Sequence, residues 1–270
     1  MSETATAGPI LRNPMAERLR AGKLALALIV KQVQSVDIAV LAKSCGYDAI
    51  NVDLEHSVIP ESAAAQICIT ALNLGVTPLV RVPSHDGHYA NRILDAGAMG
   101  VVAPHVNSAD EARAIVRASK FPPFGERSVA GSWPHLGYQA WPADEVRRLL
   151  NETTSVIVML ETPEAVERAD EIAAVPGVDI LHVGSTDLCD ALGMPGKFSD
   201  PALEGCFQRV IGACRAHGKF AGAGGLGTAT DVMQKVIGMG VRFVTAGNEW
   251  ALMMAAARQR AMMLRQLQLD

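Results

Sequence analysis

The chain has 270 residues, 49% of them hydrophobic, and a net charge of −4 with both signs mixed. This allows one large core, and α/β barrels of about 250 residues form a single domain. The absence of a basic stripe argues against a nucleic-acid partner, and no apolar stretch approaches the ~18 residues of a membrane span.

The first residues, MSETATAGPILRNP, are polar and broken by prolines, without the charged-then-apolar order of a secretory signal. Residues 1–20 therefore read as an N-terminal extension, and 21–270 as one catalytic domain. The first strand is expected at LALALIV (24–30), with a helix over 35–45. AINVDLE (49–55) is the second strand and closes on Glu55, with His56 next and a helix over 60–75 behind it. TPLVRVP (77–83) is the third and carries Arg81 near its end. GVVAPHV (100–106) is the fourth, with His105 at its end, and a helix follows over 108–120. The interval 119–154 is proline-rich, holds two tryptophans and has few long apolar runs. In a compact domain such a segment is a lid or an interface arm.

SVIVMLE (155–161) is the fifth strand and closes on Glu161. Pro163 then stands at a first helical position with Thr162 as cap, opening a helix over 163–175. DILHVGS (179–185) is the sixth strand and leads into Asp187. A helix over 201–218 closes at Gly218. KFAGAGG (219–225) and RFVTAG (242–247) are the seventh and eighth strands. Residues 249–267 form a Met- and Leu-rich helix that covers the barrel wall or packs on another subunit. Mostly continuous apolar strands alternating with helices predict parallel βα units, and eight of them predict a single-domain (β/α)8 TIM barrel. Five cysteines without CxxC or zinc spacing read as free thiols in a reducing, cytoplasmic compartment.

Acid, base and guanidinium groups thus gather at the C-terminal ends of successive strands, where such barrels build active sites. Glu161 and Asp187 are hard oxygen donors able to hold Mg²⁺ or Mn²⁺. Either could instead cap the helix that follows it, and for Asp187, just before LCDALG, that competes directly. His56 suits a general base near neutral pH, or is a loop histidine. Arg81, in an otherwise apolar strand end, needs an anionic partner, either an oxo-acid substrate or a structural pair with Glu55 or Glu161. His182, inside a strand, and His217, ending a helix, read as a packed and a surface residue. Backbone N–H groups in GSTDL (184–188) could bind a carboxylate. The run AGAGGLG (221–227) lacks both the Walker ending and the Rossmann spacing.

VDLEHS, LVRVP, FPPFGERS, MLETPEA and VGSTDLCDALGMPG together resemble the HpcH/HpaI aldolases, over about residues 15 to 267. The resemblance implies a metal-dependent class II pyruvate aldolase on a (β/α)8 barrel. It would make or cleave a carbon–carbon bond between pyruvate, a 2-oxo acid, and an aldehyde through a metal-stabilised enolate. The implied metal ligands are Glu161 and Asp187, with Mg²⁺, Mn²⁺ or Co²⁺ as the cation. His56 matches the family's base, Asp95 the acid that partners it, and Arg81 the arginine on the pyruvyl oxygens. Ser185, Thr186 and Asp187 would receive the substrate carboxylate. The implied assembly is a hexamer, a trimer of dimers exchanging their last helices.

Ser185, Thr186 and Cys189 stand where many members carry Pro, Ala and Ser, which leaves the natural acceptor open. A Schiff-base route needs a desolvated barrel lysine. Lys219 starts a strand, at the wrong end, and Lys31 alone is well placed. The alternatives are a coenzyme A ester lyase of the citrate lyase β type, for which no basic cluster suggests a nucleotide surface, and a catalytically silent ligand-binding barrel.

Overall fold

The computed structural model describes residues 11–267. Eight parallel strands close into a barrel in chain order: β1 (Ala25–Val30), β2 (Ala49–Asp53), β3 (Thr77–Arg81), β4 (Gly100–Ala103), β5 (Ser155–Leu160), β6 (Ile180–Gly184), β7 (Phe220–Gly224) and β8 (Val241–Asn248). β8 pairs with β1, so no edge remains open. The (β/α)8 TIM barrel expected from the sequence is the fold observed, and all eight strands lie within the runs read for them or within a residue of them.

The strand period of two sorts each strand into an inward and an outward line. Ala25, Ala27, Ala49, Leu79, Val102, Ile157 and Phe243 fill the lower interior. The same inward lines rise through Asn51 to Asp53, from Leu79 to Arg81, and through Ile157 and Met159 to Glu161. The top of the barrel is thus polar because the strand ends bring charged residues onto lines that are apolar below. His182 is buried inside, as read, with its ring edge-on to Phe243 at 5.5 Å between centroids.

The outer ring begins with α1 (Pro14–Arg20), whose Met15 and Leu19 pack against the lower interior and plug the barrel floor. α2 (Asp37–Ser44), α3 (Glu61–Asn73), α4 (Gly87–Asp95), α5 (Ala109–Ser119), α6 (Ala143–Thr153), α7 (Pro163–Glu167), α8 (Ala169–Ala173), α9 (Ser185–Ala191), α10 (Pro201–Ala216), α11 (Thr230–Met239) and α12 (Glu249–Arg265) follow. The helix expected over 163–175 breaks in two at Arg168, whose ψ of 10° leaves the helical region. Thr162 caps α7 as expected, accepting from the Ala165 N–H at 3.1 Å.

The interval 119–154 is not a lid over this chain's own strand ends. α5 ends, and β5 begins, at the N-terminal face of the barrel, so the segment leaves and returns there. α6 occupies its last third. Phe121, Trp133, Val146 and Leu150 form a small core of their own, and Asn13 ties the segment's end to α1 through the Thr153 carbonyl at 2.7 Å.

Candidate active site

β2 delivers an acidic turn. Asp53 is fully buried, and its Oδ1 accepts the N–H groups of Glu55 at 3.0 Å and His56 at 3.2 Å. The carboxylate thereby shapes the turn that lifts His56 to the rim, where its side chain is 54% exposed and its Nε2 lies 3.5 Å from Glu55 Oε2.

Arg81 reaches across from β3, Asp53 and Arg81 being register partners. Its Nε and Nη2 grip Asp53 at 2.9 and 2.5 Å, and its Nη1 lies 3.0 Å from Glu55. Lys31, after β1, places Nζ 3.5 Å from Asp53. Burial alone would push the Asp53 carboxyl up, but the Arg81 hydrogen bonds and charge, the His56 N–H and the Lys31 charge hold it below the usual carboxylate range. Burial likewise disfavours the Arg81 cation, but the hydrogen bonds and charge of Asp53, with Glu55 and Glu161, leave it raised. The dominant partner of Arg81 within the chain is therefore Asp53, which sequence reasoning missed, and Glu55 is its second. The available signal was an aspartate closing the same apolar run as Glu55.

Glu161 leaves β5 with only 2% of its surface exposed. Its Oε2 accepts the His105 N–H at 2.7 Å and lies 3.2 Å from His105 Nδ1, while His105 Nε2 is 3.0 Å from Glu55 Oε1. Gly184 at the end of β6 makes the room: a Cβ there would lie 2.6 Å from Glu161 Cγ and 2.8 Å from its Oε1. Asp187 stands exposed in the first turn of α9. Burial pushes the Glu161 carboxyl up, the His105 N–H and ring oppose this, and the charges of Asp187 and Glu55 add to it.

That electrostatic strain is what a divalent cation would relieve. Glu161 and Asp187 supply hard oxygens, so the residues fit Mg²⁺, Mn²⁺ or Co²⁺. Among the described residues no group of three or more His, Cys, Asp or Glu side chains gathers to hold a metal. Water and substrate would therefore complete the shell.

At the start of α9, Ser185 is fully buried with its hydroxyl unpartnered, and Thr186 Oγ1 donates to the Gly225 carbonyl at 3.0 Å. Asp95 does not join this group within one chain. It closes α4 at the opposite, N-terminal end of the barrel and pairs with Arg127 at 2.7 Å. The reason is topological: a helix that follows a barrel strand ends at the face where the next strand begins. Arg127 is itself buried against the rings of Phe121 and Trp133, 4.7 and 5.1 Å from their centroids. His56 instead has Asp53 and Glu55 beside it.

The sequence model described as HpcH/HpaI aldolase/citrate lyase matches residues 32–256. A 4-hydroxy-4-methyl-2-oxoglutarate aldolase of Hapsidospora irregularis is 36% identical over 261 residues, 96% of this chain and 97% of that protein. One of the same name from Chaetomium globosum is 38% identical over 248 residues, 91% of this chain and 92% of the relative. The crystal structure of an HpcH/HpaI aldolase from Desulfitobacterium hafniense superposes with a TM-score of 0.90 at 29% identity, covering 95% of this chain and 98% of that one.

Proposed function

Because the chain belongs to the HpcH/HpaI aldolase/citrate lyase family, we propose that its C-terminal barrel face is the site of a divalent-metal-dependent pyruvate aldolase. The chain is a carbon–carbon lyase acting on 2-oxo acids, as its curated relatives are. What carries the assignment to these residues is one observation: buried Glu161, strained by Asp187 and Glu55, stands at the same end of the barrel as Arg81.

A cation on Glu161 and Asp187 would supply Lewis-acid polarisation of the 2-oxo group, a contribution of several kcal/mol in such enzymes. Arg81 holds fixed positive charge toward the pyruvyl oxygens, kept in place by Asp53 and Glu55. The N–H groups at Ser185, Thr186 and Asp187 receive the substrate carboxylate. His56, exposed at the rim, takes the proton from the C4 hydroxyl. The C3–C4 bond then breaks, its electrons pass to the pyruvate enolate, and the carbonyl product leaves; C3 of the enolate takes up a proton from solvent to give pyruvate, and His56 returns its proton to solvent. In the reverse direction His56 returns a proton to the C4 oxygen.

The names of the relatives make 4-hydroxy-4-methyl-2-oxoglutarate the first substrate to test. The coenzyme A ester lyase alternative has less support, since the curated relatives above are named aldolases. Pyruvate release from a panel of 4-hydroxy-2-oxo acids and from a citramalyl-type coenzyme A ester decides between them. The expected result is release from at least one hydroxy-oxo acid and none from the thioester.

Assembly belongs to the same reading. Of α12, only Glu249 is buried, and Trp250, Met253, Met254, Met262 and Met263 stand exposed. An open groove of about 430 Å³ lies beside it, lined by Leu26, Ile29, Leu226, Met233 and Ile237. We infer a homo-oligomer, a hexamer built as a trimer of dimers, with α12 in the interface. Among the described residues no helix is long and apolar enough to cross a membrane, and the described cysteines are free. Both support a cytoplasmic reading.

A further inference from the structure

We propose that the imidazole of His105 is a positioning group for the metal-binding carboxylate of Glu161, and that through Glu55 it sets that carboxylate and the Arg81 guanidinium as one unit. The inference rests on reading Glu161 as a metal ligand.

His105 adopts φ 52°, a left-handed conformation that suits glycine and that few other residues adopt. If the position served only as a turn, glycine would fill it with less strain. What the side chain adds is a bridge. Backbone N–H and ring Nδ1 converge on one oxygen, Glu161 Oε2, at 2.7 and 3.2 Å. The other ring nitrogen meets Glu55 Oε1 at 3.0 Å, and Glu55 Oε2 meets Arg81 Nη1 at 3.0 Å.

With Oε2 engaged, Glu161 turns Oε1 toward Gly184, on the strand that leads into Asp187. Oε1 is thus the oxygen left for a cation, and the charge of Asp187 acts on the same carboxylate. The turn is held from behind as well. Asn107 Nδ2 donates to the His105 carbonyl at 2.9 Å, and Thr162, the α7 cap, donates to Asn107 Oδ1 at 2.5 Å. Partners of this kind orient metal ligands, and their loss weakens metal binding by about 10–100-fold.

The test is Mn²⁺ binding, measured by calorimetry on the full chain without substrate, together with thermal melting. His105→Gly keeps the N–H, suits the backbone and removes only the ring. The expected result is Mn²⁺ affinity weakened about tenfold or more with no loss of melting temperature. His105→Asn, which tolerates the left-handed backbone and carries a side-chain donor, should recover part of the affinity. Glu161→Gln should abolish binding and serves as the control on the metal reading. If Glu161→Gln loses Mn²⁺ while His105→Gly binds like the parent, the role of His105 is overturned and the metal reading stands. If Glu161→Gln binds like the parent, the metal reading falls and takes this inference with it. A weaker His105→Gly that also melts lower, without recovery in His105→Asn, makes the residue a turn element and overturns the positioning role.

Discussion

At the scale of single residues, Arg81 carries two demands in the proposed mechanism. It faces the substrate there, and in the fold it satisfies Asp53, which is wholly buried. Lysine keeps the charge but not the planar fork. Arg81→Lys should therefore weaken pyruvate binding and also lower the melting temperature by several degrees, because a buried carboxylate loses its two-point partner. Reduced stability with unchanged pyruvate affinity would confine Arg81 to the structural role. Two buried histidines set the response to acid. Burial lowers His135 to about 4 and His182 to about 3. Their unfolded value is about 6.5, so on acidification the unfolded chain takes up these protons first. The stability from the neutral rings is complete above that value and is lost as pH falls toward 4 and then 3. Urea midpoints should fall steadily from pH 7 to pH 4.5, and His135→Gln should make the slope shallower. The Glu161 carboxyl, pushed up by burial, opposes this trend, so a slope unchanged in His135→Gln is the result that would contradict the buried, neutral assignment.

At the scale of elements, the β6 end depends on the absence of a side chain. A methyl group at Gly184 would press on Glu161 at 2.6 Å. Gly184→Ala should therefore displace the carboxylate and cut turnover by about tenfold or more while the barrel still folds. Normal kinetics in that variant would mean that Glu161 is not held where the site needs it. The strands were legible in the sequence because parallel barrel strands are buried on both faces and read as unbroken apolar runs, as in SVIVML and GVVA. Glu161, Arg81 and His56 were legible for the same reason, as charges closing apolar runs. Asp53 was not singled out, because one position inside a strand does not announce which way its carboxylate turns. Of the helices not read from the sequence, two were poorly marked. α4, GHYANRILD, opens with glycine and histidine, and α6 lies inside a proline-rich interval. The face on which 119–154 lies, and hence its distance from the site, follows from topology, which composition does not report.

At the scale of the whole molecule, α12 is exposed along nearly its whole length, and the proposed assembly would cover it. Light scattering at micromolar concentration should give a mass near six chains, and removal of residues 249–270 should dissociate the particle. A monomeric mass for the intact chain would count against the proposed assembly. In the proposed mechanism this barrel cleaves 2-oxo acids through a cation held by Glu161 and Asp187. Its most direct test is pyruvate release from 4-hydroxy-4-methyl-2-oxoglutarate by chelator-treated enzyme, with Mg²⁺, Mn²⁺ or Co²⁺ added back. Activity should vanish on chelation and return with the metal, in the parent and not in Asp187→Asn. Full activity without metal, or a lysine adduct trapped by borohydride, would contradict it.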